Sequence, residues 1–135
     1  MSMQNKTRDN IMTNINLLKF DIKTNNSTHK IKLHLDQNKF SQNHIIKSFQ
    51  SSYLFENSLS LFLIRVLQEG DVFYDIGAHV GYFSILSSFL VGNTGEVVAI
   101  EPEEENFKQL EVNMKINKKK ILSLFKELFR ISMVH

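Results

Sequence analysis

The sequence contains no cysteine and no tryptophan, and its 135 residues include only one proline and five glycines. Without cysteine the chain has no disulfide, no thiol nucleophile and no thiolate metal ligand. This absence agrees with a reducing compartment. Charge of one sign is also scarce, because 16 Lys and Arg residues against 14 Asp and Glu residues give a net charge of +2. So small a charge does not indicate nucleic acid as a partner.

Long apolar runs are missing as well. The longest nearly apolar stretches, residues 59–67 and 80–91, are shorter than the roughly 20 residues that a transmembrane helix needs. Residues 1–16 are polar and rich in asparagine, and they lack the apolar core of a signal peptide. We therefore predict a flexible tail over 1–16 and a cytoplasmic protein without a transmembrane segment.

Residues 17–52 begin with two segments in which apolar and polar residues alternate, separated by the turn-rich stretch 24–28. The alternating apolar residues are Leu18, Phe20 and Ile22 in the first segment and Ile31, Leu33 and Leu35 in the second. This pattern predicts an antiparallel β-hairpin with one apolar face, followed by a connecting segment without a clear assignment. The histidines in this region lack the spacing of metal ligands on one helix face, so we predict no metal site.

The stretch 72–101 organises the rest of the chain. A β-favouring apolar run, 72–76, leads into a glycine-containing loop, and an apolar segment over about 80–90 precedes a second β-run at 96–100. This order predicts a strand, a loop, a helix and a second strand, in other words a βαβ unit. The nearly continuous apolar character of 72–76 predicts a strand that is buried on both faces. A helix over 58–68 precedes this unit.

The two predicted strands each end at an acidic residue, and ligands of open α/β sheets bind at the carboxyl ends of the strands. Asp75 can face a cationic ligand group, while Gly77 and Gly81 let the backbone turn sharply and approach a ligand. The following helix would aim free N–H groups at the same crevice. Glu101 lies 20 residues after Gly81, where a carboxylate can accept hydrogen bonds from both hydroxyls of a ribose.

The spacing of the loop distinguishes between nucleotide cofactors. The dinucleotide fingerprint is G-x-G-x-x-G, whereas this loop reads D-x-G-x-x-x-G from Asp75 to Gly81. That difference disfavours NAD and FAD and favours S-adenosylmethionine, a nucleoside joined to a charged group that is not a pyrophosphate. The structural alternative is a βαβ unit whose glycines only permit tight packing, but it leaves the two strand-end carboxylates unexplained.

The segment after Glu101 predicts one more helix with an acidic first turn at 103–105 and an apolar stripe. Acidic residues there complement the helix dipole, which is a commoner role than metal binding. From residue 121 onward apolar and charged residues follow a helical period, and we predict a basic amphipathic helix over 118–135. Lysines and arginines between 115 and 130 could also contact a membrane surface or a nucleic acid, although a solvated basic face explains them more simply.

The residues from Asp75 to Ser84, followed by Glu101-Pro102, Asn106-Phe107, Leu110 and Asn113, resemble the FkbM-type methyltransferases over about residues 53–117. The resemblance implies a class I, seven-stranded Rossmann-like fold that binds S-adenosylmethionine and generally methylates hydroxyl oxygens of sugars or small metabolites. It further implies that Asp75, Gly77, Ala78 and Gly81 line the methionine end of the cofactor and that Glu101 binds its ribose.

His79 stands where the family commonly has Asn, and we predict that it orients the loop rather than taking part in catalysis. The resemblance identifies no general base. The chain departs from the family pattern after Asn117, where the family continues with further strands. We therefore expect an incomplete α/β fold of class I methyltransferase type, preceded by a β-hairpin.

The predicted regions are a tail (1–16), the hairpin and connecting segment (17–52), the first βαβα part of an S-adenosylmethionine-binding domain (53–117) and the basic helix (118–135). The predicted function is methylation of a small-molecule or glycan hydroxyl, with activity limited by truncation. The alternative is a non-catalytic remnant or interaction module that retains part of the cofactor-binding fold and self-associates through exposed sheet edges.

Overall fold

The structure is a computed structural model, and it describes residues 15–124. The chain divides into two compact units, Met1–Val66 and Leu67–His135. The predicted tail lies outside the described residues except for residues 15 and 16, which belong to the first strand rather than to a tail. The other domain boundaries stay predictions.

The first unit opens with the predicted hairpin, formed by β1 (Ile15–Lys23) and β2 (Thr28–Asp36). The strands pair antiparallel, with Leu18 opposite Leu33 and Phe20 opposite Ile31. The alternation of apolar and polar residues sets this register, because a slip of one residue would turn every apolar side chain to the other face. The buried residues of the apolar face are Phe20, Ile22, Ile31, Leu33 and Leu35.

Two helices complete the first unit. The segment left unassigned in the sequence contains α1 (Phe40–Gln50), whose Phe49 ring packs against Phe20 with the ring centroids 4.5 Å apart. Its buried Gln42 accepts a hydrogen bond from the Asp36 backbone N–H at 2.7 Å, so α1 is joined to the end of the hairpin by a polar contact. The next helix, α2, spans Asn57–Val66 and ends two residues before the predicted helix does.

The second unit is the predicted α/β part, with β3 (Val72–Ile76), α3 (Tyr82–Val91), β4 (Glu96–Ile100), α4 (Glu104–Ile116) and β5 (Leu122–Leu124). All three strands are parallel and lie in the order β3-β4-β5. This succession of strand and crossover helix confirms the predicted Rossmann-like α/β fold class, which the β-hairpin precedes in the sequence. It places the carboxyl ends of β3 and β4 side by side.

The third strand corrects two expectations, since we predicted a helix from residue 121 and only two parallel strands. Leu122 pairs with Val98 and Leu124 with Ile100. The open edge of β4 offers hydrogen-bond partners to this short segment, and such tertiary pairing overrides a helical period read from the sequence. The remainder of the predicted basic helix, residues 125–135, lies outside the described residues.

The expectation that β3 is buried on both faces is also wrong. Val72, Tyr74 and Ile76 are 55%, 63% and 76% exposed, whereas Phe73 and Asp75 between them are partly buried. The strand order explains the asymmetry: right-handed crossovers from β3 to β4 and from β4 to β5 carry both helices to the same face of the sheet. Asp75 contacts α3 on that face, and the alternate side chains of β3 point the other way.

The serines of α3 are buried, as are most of its apolar residues. Ser84, Ser87 and Ser88 are at most 5% exposed, so α3 is covered nearly all round. Short hydroxyl side chains can be buried when a nearby acceptor takes their proton. Ser84 donates to Asp75 and Ser88 to the carbonyl of Ile85, each at 2.6 Å, while the Ser87 hydroxyl has no partner among the described residues.

Candidate functional site

The candidate site lies where β3 and β4 end. Asp75 is the fourth of the five residues of β3 and pairs in register with Ala99, and Glu101 directly follows the last residue of β4. Because the strands are parallel, both carboxylates lie at the same end of the sheet. The register of the sheet thus brings the two predicted site residues to the same edge, and their binding of a cofactor stays a prediction.

The loop between β3 and α3 is tied to the end of β4 through its backbone. The N–H groups of Gly77 and Ala78 both donate to the carbonyl of Ile100, at 2.8 and 2.9 Å, and the Gly81 N–H donates to the carbonyl of Ala78 at 2.9 Å. The His79 N–H donates to Glu101 Oε2 at 2.6 Å. These four N–H groups therefore hold the loop in shape and are occupied within the protein.

The Glu101 carboxylate links two segments of the site by hydrogen bonds. Its side chain is 5% exposed, and its second oxygen, Oε1, accepts the backbone N–H of Glu103 at 2.8 Å. One carboxylate thus joins the loop to the start of α4, which Glu103 caps by accepting the N–H groups of two following residues. An ionised carboxylate has about four lone-pair positions, so the two positions left over remain compatible with the predicted ribose contact.

Asp75 is held by the first turn of α3. Its Oδ2 accepts the Ser84 hydroxyl at 2.6 Å, and the Ser84 backbone N–H also bonds to this carboxyl group. Burial raises the pKa of Asp75 above its ordinary value of 3.8; the two bonds from Ser84 lower it, and the negative charge of Glu101 raises it further. Asp75 is therefore a partly desolvated carboxylate that a cationic group would stabilise in its ionised form.

The two glycines of the loop have different functions. Gly81 has a φ of +93°, and a Cβ built on it would collide with the Leu110 side chain of α4, so here the packing interpretation is correct. Gly77 has a φ of +77°, and a Cβ built on it would meet nothing within 4 Å. The space beside Gly77, next to Asp75, is therefore open, and packing does not explain this glycine as it explains Gly81.

His79 and Ala78 occupy the centre of the loop. His79 has a φ of +55°, which is uncommon for a residue with a Cβ and is tolerated where the surroundings fix the backbone. Its N–H bond to Glu101 supplies that fixation, and this geometry fits the predicted loop-orienting function. Ala78 is buried at 5% exposure, so it supports the loop from beneath.

Asn113 is a site residue to which the sequence analysis gave no function. It is fully buried in α4, and its Nδ2 donates to the carbonyl of Val80 at 2.8 Å. The signal was present in the sequence, since Asn113 follows Leu110 by three residues and so lies on the same buried face of the helix. A polar residue in an apolar stripe indicates a buried hydrogen-bond partner, here the carbonyl just before Gly81.

Two negative findings concern the described residues. Among residues 15–124 no group of three or more histidine, aspartate or glutamate side chains is placed to hold a metal ion. None of the described helices combines the length and hydropathy required to cross a membrane.

Part of the chain matches the model of a known protein family. Residues 75–128 match the family model described as the methyltransferase FkbM domain, which confirms the resemblance inferred from the loop and strand-end motifs. The matched segment begins at Asp75 and includes the whole glycine loop and Glu101. No curated protein matches the chain.

Solved structures similar to the chain include a methyltransferase and a protein with bound S-adenosyl-L-methionine. Protein-L-isoaspartate O-methyltransferase is 24% identical with a TM-score of 0.44, and the match covers 50% of this chain and 22% of that one. Aeropyrum pernix fibrillarin, whose structure contains natively bound S-adenosyl-L-methionine, is 16% identical with a TM-score of 0.44, and the match covers 57% of this chain and 36% of that one. The matches thus span well under half the length of each of these two solved proteins.

Proposed function

We propose that the second unit binds S-adenosylmethionine at the carboxyl ends of β3 and β4 and serves a methyl-transfer reaction. The observation that carries the proposal is the placement of two carboxylates, Asp75 and Glu101, on either side of a loop that leaves open space beside Gly77. The match of residues 75–128 to a methyltransferase family model supports it independently.

The chemistry of the site residues suits the charges of this cofactor. S-adenosylmethionine carries a sulfonium and an ammonium group near one another and a neutral ribose with two free hydroxyls. Asp75, whose ionised form is disfavoured by burial, gains most from a cationic neighbour. Glu101, with lone pairs still available, gains hydrogen bonds from hydroxyl donors. We therefore assign the methionine end to Asp75 and the neighbouring Gly77, and the ribose to Glu101. The assignment of Ala78 and Gly81 to the methionine end rests on the resemblance to the FkbM family alone, since both are also explained by packing of the loop.

We propose a hydroxyl group of a sugar or a small metabolite as the acceptor, in keeping with the family that the loop resembles. The bound cofactor supplies an activated methyl group: the acceptor oxygen bonds to the methyl carbon, the sulfur–methyl bond breaks and the sulfur retains the electron pair. Alignment of the acceptor with the methyl group is the main requirement placed on the protein. A base must also take the hydroxyl proton, and no residue at the described site is assigned that function.

The proposal is tested by calorimetric titration of the 135-residue chain with S-adenosylmethionine, with NAD⁺ as a comparison ligand. We expect saturable binding of S-adenosylmethionine and none of NAD⁺, because the loop lacks the phosphate-binding glycine spacing. Incubation with methyl-labelled cofactor and a panel of sugars and hydroxylated metabolites then tests for transfer. Equal affinity for both ligands, or no binding of either by a folded chain, would contradict the proposal.

A second candidate function is supported by one observation, the exposed apolar side chains of Val72, Tyr74 and Ile76 on β3. Among the described residues β3 also pairs with no strand except β4, which leaves one of its edges open. Exposed apolar residues at an open strand edge favour association with another chain, as expected of an interaction module. Light scattering of the wild type beside Tyr74→Lys tests this: a dimer that becomes monomeric supports the module, and a monomeric wild type removes it.

A further inference from the structure

The second unit contains a cavity far from the candidate methyl-transfer site. Its volume is about 380 Å³, and its wall includes Gly92 and Gly95 from the turn before β4, Val97 near the beginning of β4, and three lysines after α4. Since Glu101 follows the last residue of β4, the cavity and the carboxylate pair lie at opposite ends of the same strand. The cavity therefore does not belong to the site already described.

The charge of the cavity is one-sided. Its three lysines, Lys118, Lys119 and Lys120, are consecutive, and no aspartate or glutamate lines the cavity. Within the part of the chain that the structure describes, none of the three forms an ion pair. The one neighbouring hydroxyl in the wall, that of Ser88, already donates to the carbonyl of Ile85. The side-chain donors that the wall offers to a ligand are therefore those of the lysines and of Asn93.

The lysine segment is fixed by its backbone and by one ring. The Lys118 N–H donates to the carbonyl of Lys115 at 3.0 Å and the Lys119 N–H to that of Met114 at 3.1 Å, which continues the turn at the end of α4. Lys119 Nζ lies 4.1 Å from the centroid of the Phe89 ring. Burial beside this ring lowers the pKa of Lys119. Its ammonium group has therefore lost water, and among residues 15–124 it has gained no anionic partner.

We propose that this cavity binds a small polyanion of the phosphate class, such as a diphosphate or triphosphate group. Its volume lies near the lower end of the range for small-molecule sites, which suits a compact ligand better than a nucleic-acid duplex. Three consecutive lysines in the wall, with Lys119 Nζ beside the Phe89 ring, match a ligand with two or more negative charges. The site is separate from the proposed methyl-transfer crevice and would bind its ligand at the other end of β4.

A simpler interpretation of the lysines is that they complement the negative end of the α4 dipole. Lys115 separates the two interpretations, because it lies in the last turn of α4 but does not line the cavity. Lys115→Gln therefore removes the same charge as Lys119→Gln, close by on the same unit, without changing the cavity. It is the matched control for the test.

The test is calorimetric titration of the full chain with inorganic tripolyphosphate at low and moderate salt, for the wild type, Lys119→Gln, Lys118→Gln and Lys115→Gln. We expect saturable binding that weakens about tenfold in each cavity variant and less than threefold in Lys115→Gln. Circular dichroism confirms that each variant folds. Asp75→Asn should bind tripolyphosphate like the wild type even if it loses S-adenosylmethionine, so this proposal and the methyl-transfer proposal can fail separately.

Three results would overturn the inference. The first is an absence of tripolyphosphate binding by the folded wild type, and the second is an equal loss in Lys115→Gln and Lys119→Gln, which would indicate general charge attraction. The third is tighter binding of a single-stranded oligonucleotide than of tripolyphosphate, with an equal contribution from Lys115, which would indicate a basic surface for nucleic acid.

Discussion

Replacement of Asp75 by asparagine isolates the charge on which the proposed cofactor site depends. The amide oxygen of asparagine can still accept from Ser84, which donates both its hydroxyl and its backbone N–H to this side chain. The variant should therefore keep the loop and the start of α3. What it loses is the negative charge that would face the cationic end of S-adenosylmethionine.

The expected size of the effect follows from the kind of contact that is lost. A hydrogen bond or ion pair with a charged group contributes about 1.5–3 kcal/mol, and each 1.4 kcal/mol corresponds to about tenfold in Kd. We therefore expect Asp75→Asn to bind S-adenosylmethionine roughly 10- to 150-fold more weakly. Calorimetry at pH 7.5 measures this directly, with circular dichroism to show that the variant is folded.

The pH dependence of binding provides a second, sharper readout. Burial raises the pKa of Asp75, so acidification protonates it at a higher pH than an ordinary aspartate, and the cation loses its partner. Wild-type affinity should therefore rise with pH through this raised pKa and then level off, and Asp75→Asn should lack that rise. Ser84→Ala is the control: it keeps the charge but removes a bond that lowers the pKa, so the rise should move to higher pH.

One outcome would contradict the proposed contact between Asp75 and the cofactor. If Asp75→Asn binds S-adenosylmethionine within twofold of the wild type and with the same pH profile, Asp75 does not face the cofactor. The carboxylate would then serve only to hold the first turn of α3 through Ser84.

The other predictions concern stability. Gly81→Ala should lower the free energy of unfolding by about 2–5 kcal/mol, because the new Cβ is strained at positive φ and collides with Leu110. Gly77→Ala should lower it by only about 1–2 kcal/mol, because its Cβ meets open space. Urea unfolding measures both losses, and equal losses would contradict this distinction. Asn113→Ala should cost about 1–3 kcal/mol by leaving the Val80 carbonyl unpaired in the interior, and an unchanged urea midpoint would refute it. The pKa of Asp75 is raised, so the folded state binds the proton of Asp75 more tightly than the unfolded state does. The free energy of unfolding of the wild type, relative to Asp75→Asn, should therefore fall as pH rises from about 3.8 through the raised pKa. A rise of this relative stability with pH would contradict the prediction.

Much of the fold follows from local patterns in the sequence. The hairpin follows from alternation around Phe20 and Leu33, and β4 has the bounds expected from its apolar run. These features depend on neighbours within a few residues, which is the range that periodicity reports. The placement of the carboxylate pair was predictable for a related reason. Parallel strands of equal length bring their carboxyl ends together, so Asp75 near the end of β3 lies close to Glu101, which follows β4.

The errors arise where distant residues decide the structure. The strand at 122–124 depends on pairing with β4, and the exposed face of β3 depends on the side of the sheet to which both crossovers turn. The buried serines of α3 need acceptors such as Asp75 that no helical period reveals. Asn113 acts on a carbonyl 33 residues away, and its function emerges only when α4 packs against the glycine loop.

The most direct test of the central claim is to locate S-adenosylmethionine on the protein by ¹H–¹⁵N correlation spectroscopy. We predict that titration shifts the backbone amide signals of Gly77, Ala78, His79 and Gly81 and of Glu101, which lie together at the carboxyl ends of β3 and β4. The signals of Lys118 to Lys120, at the other end of β4, should remain unchanged. Saturable binding that leaves the loop amides unshifted, or no shift anywhere in a folded chain, would contradict the account.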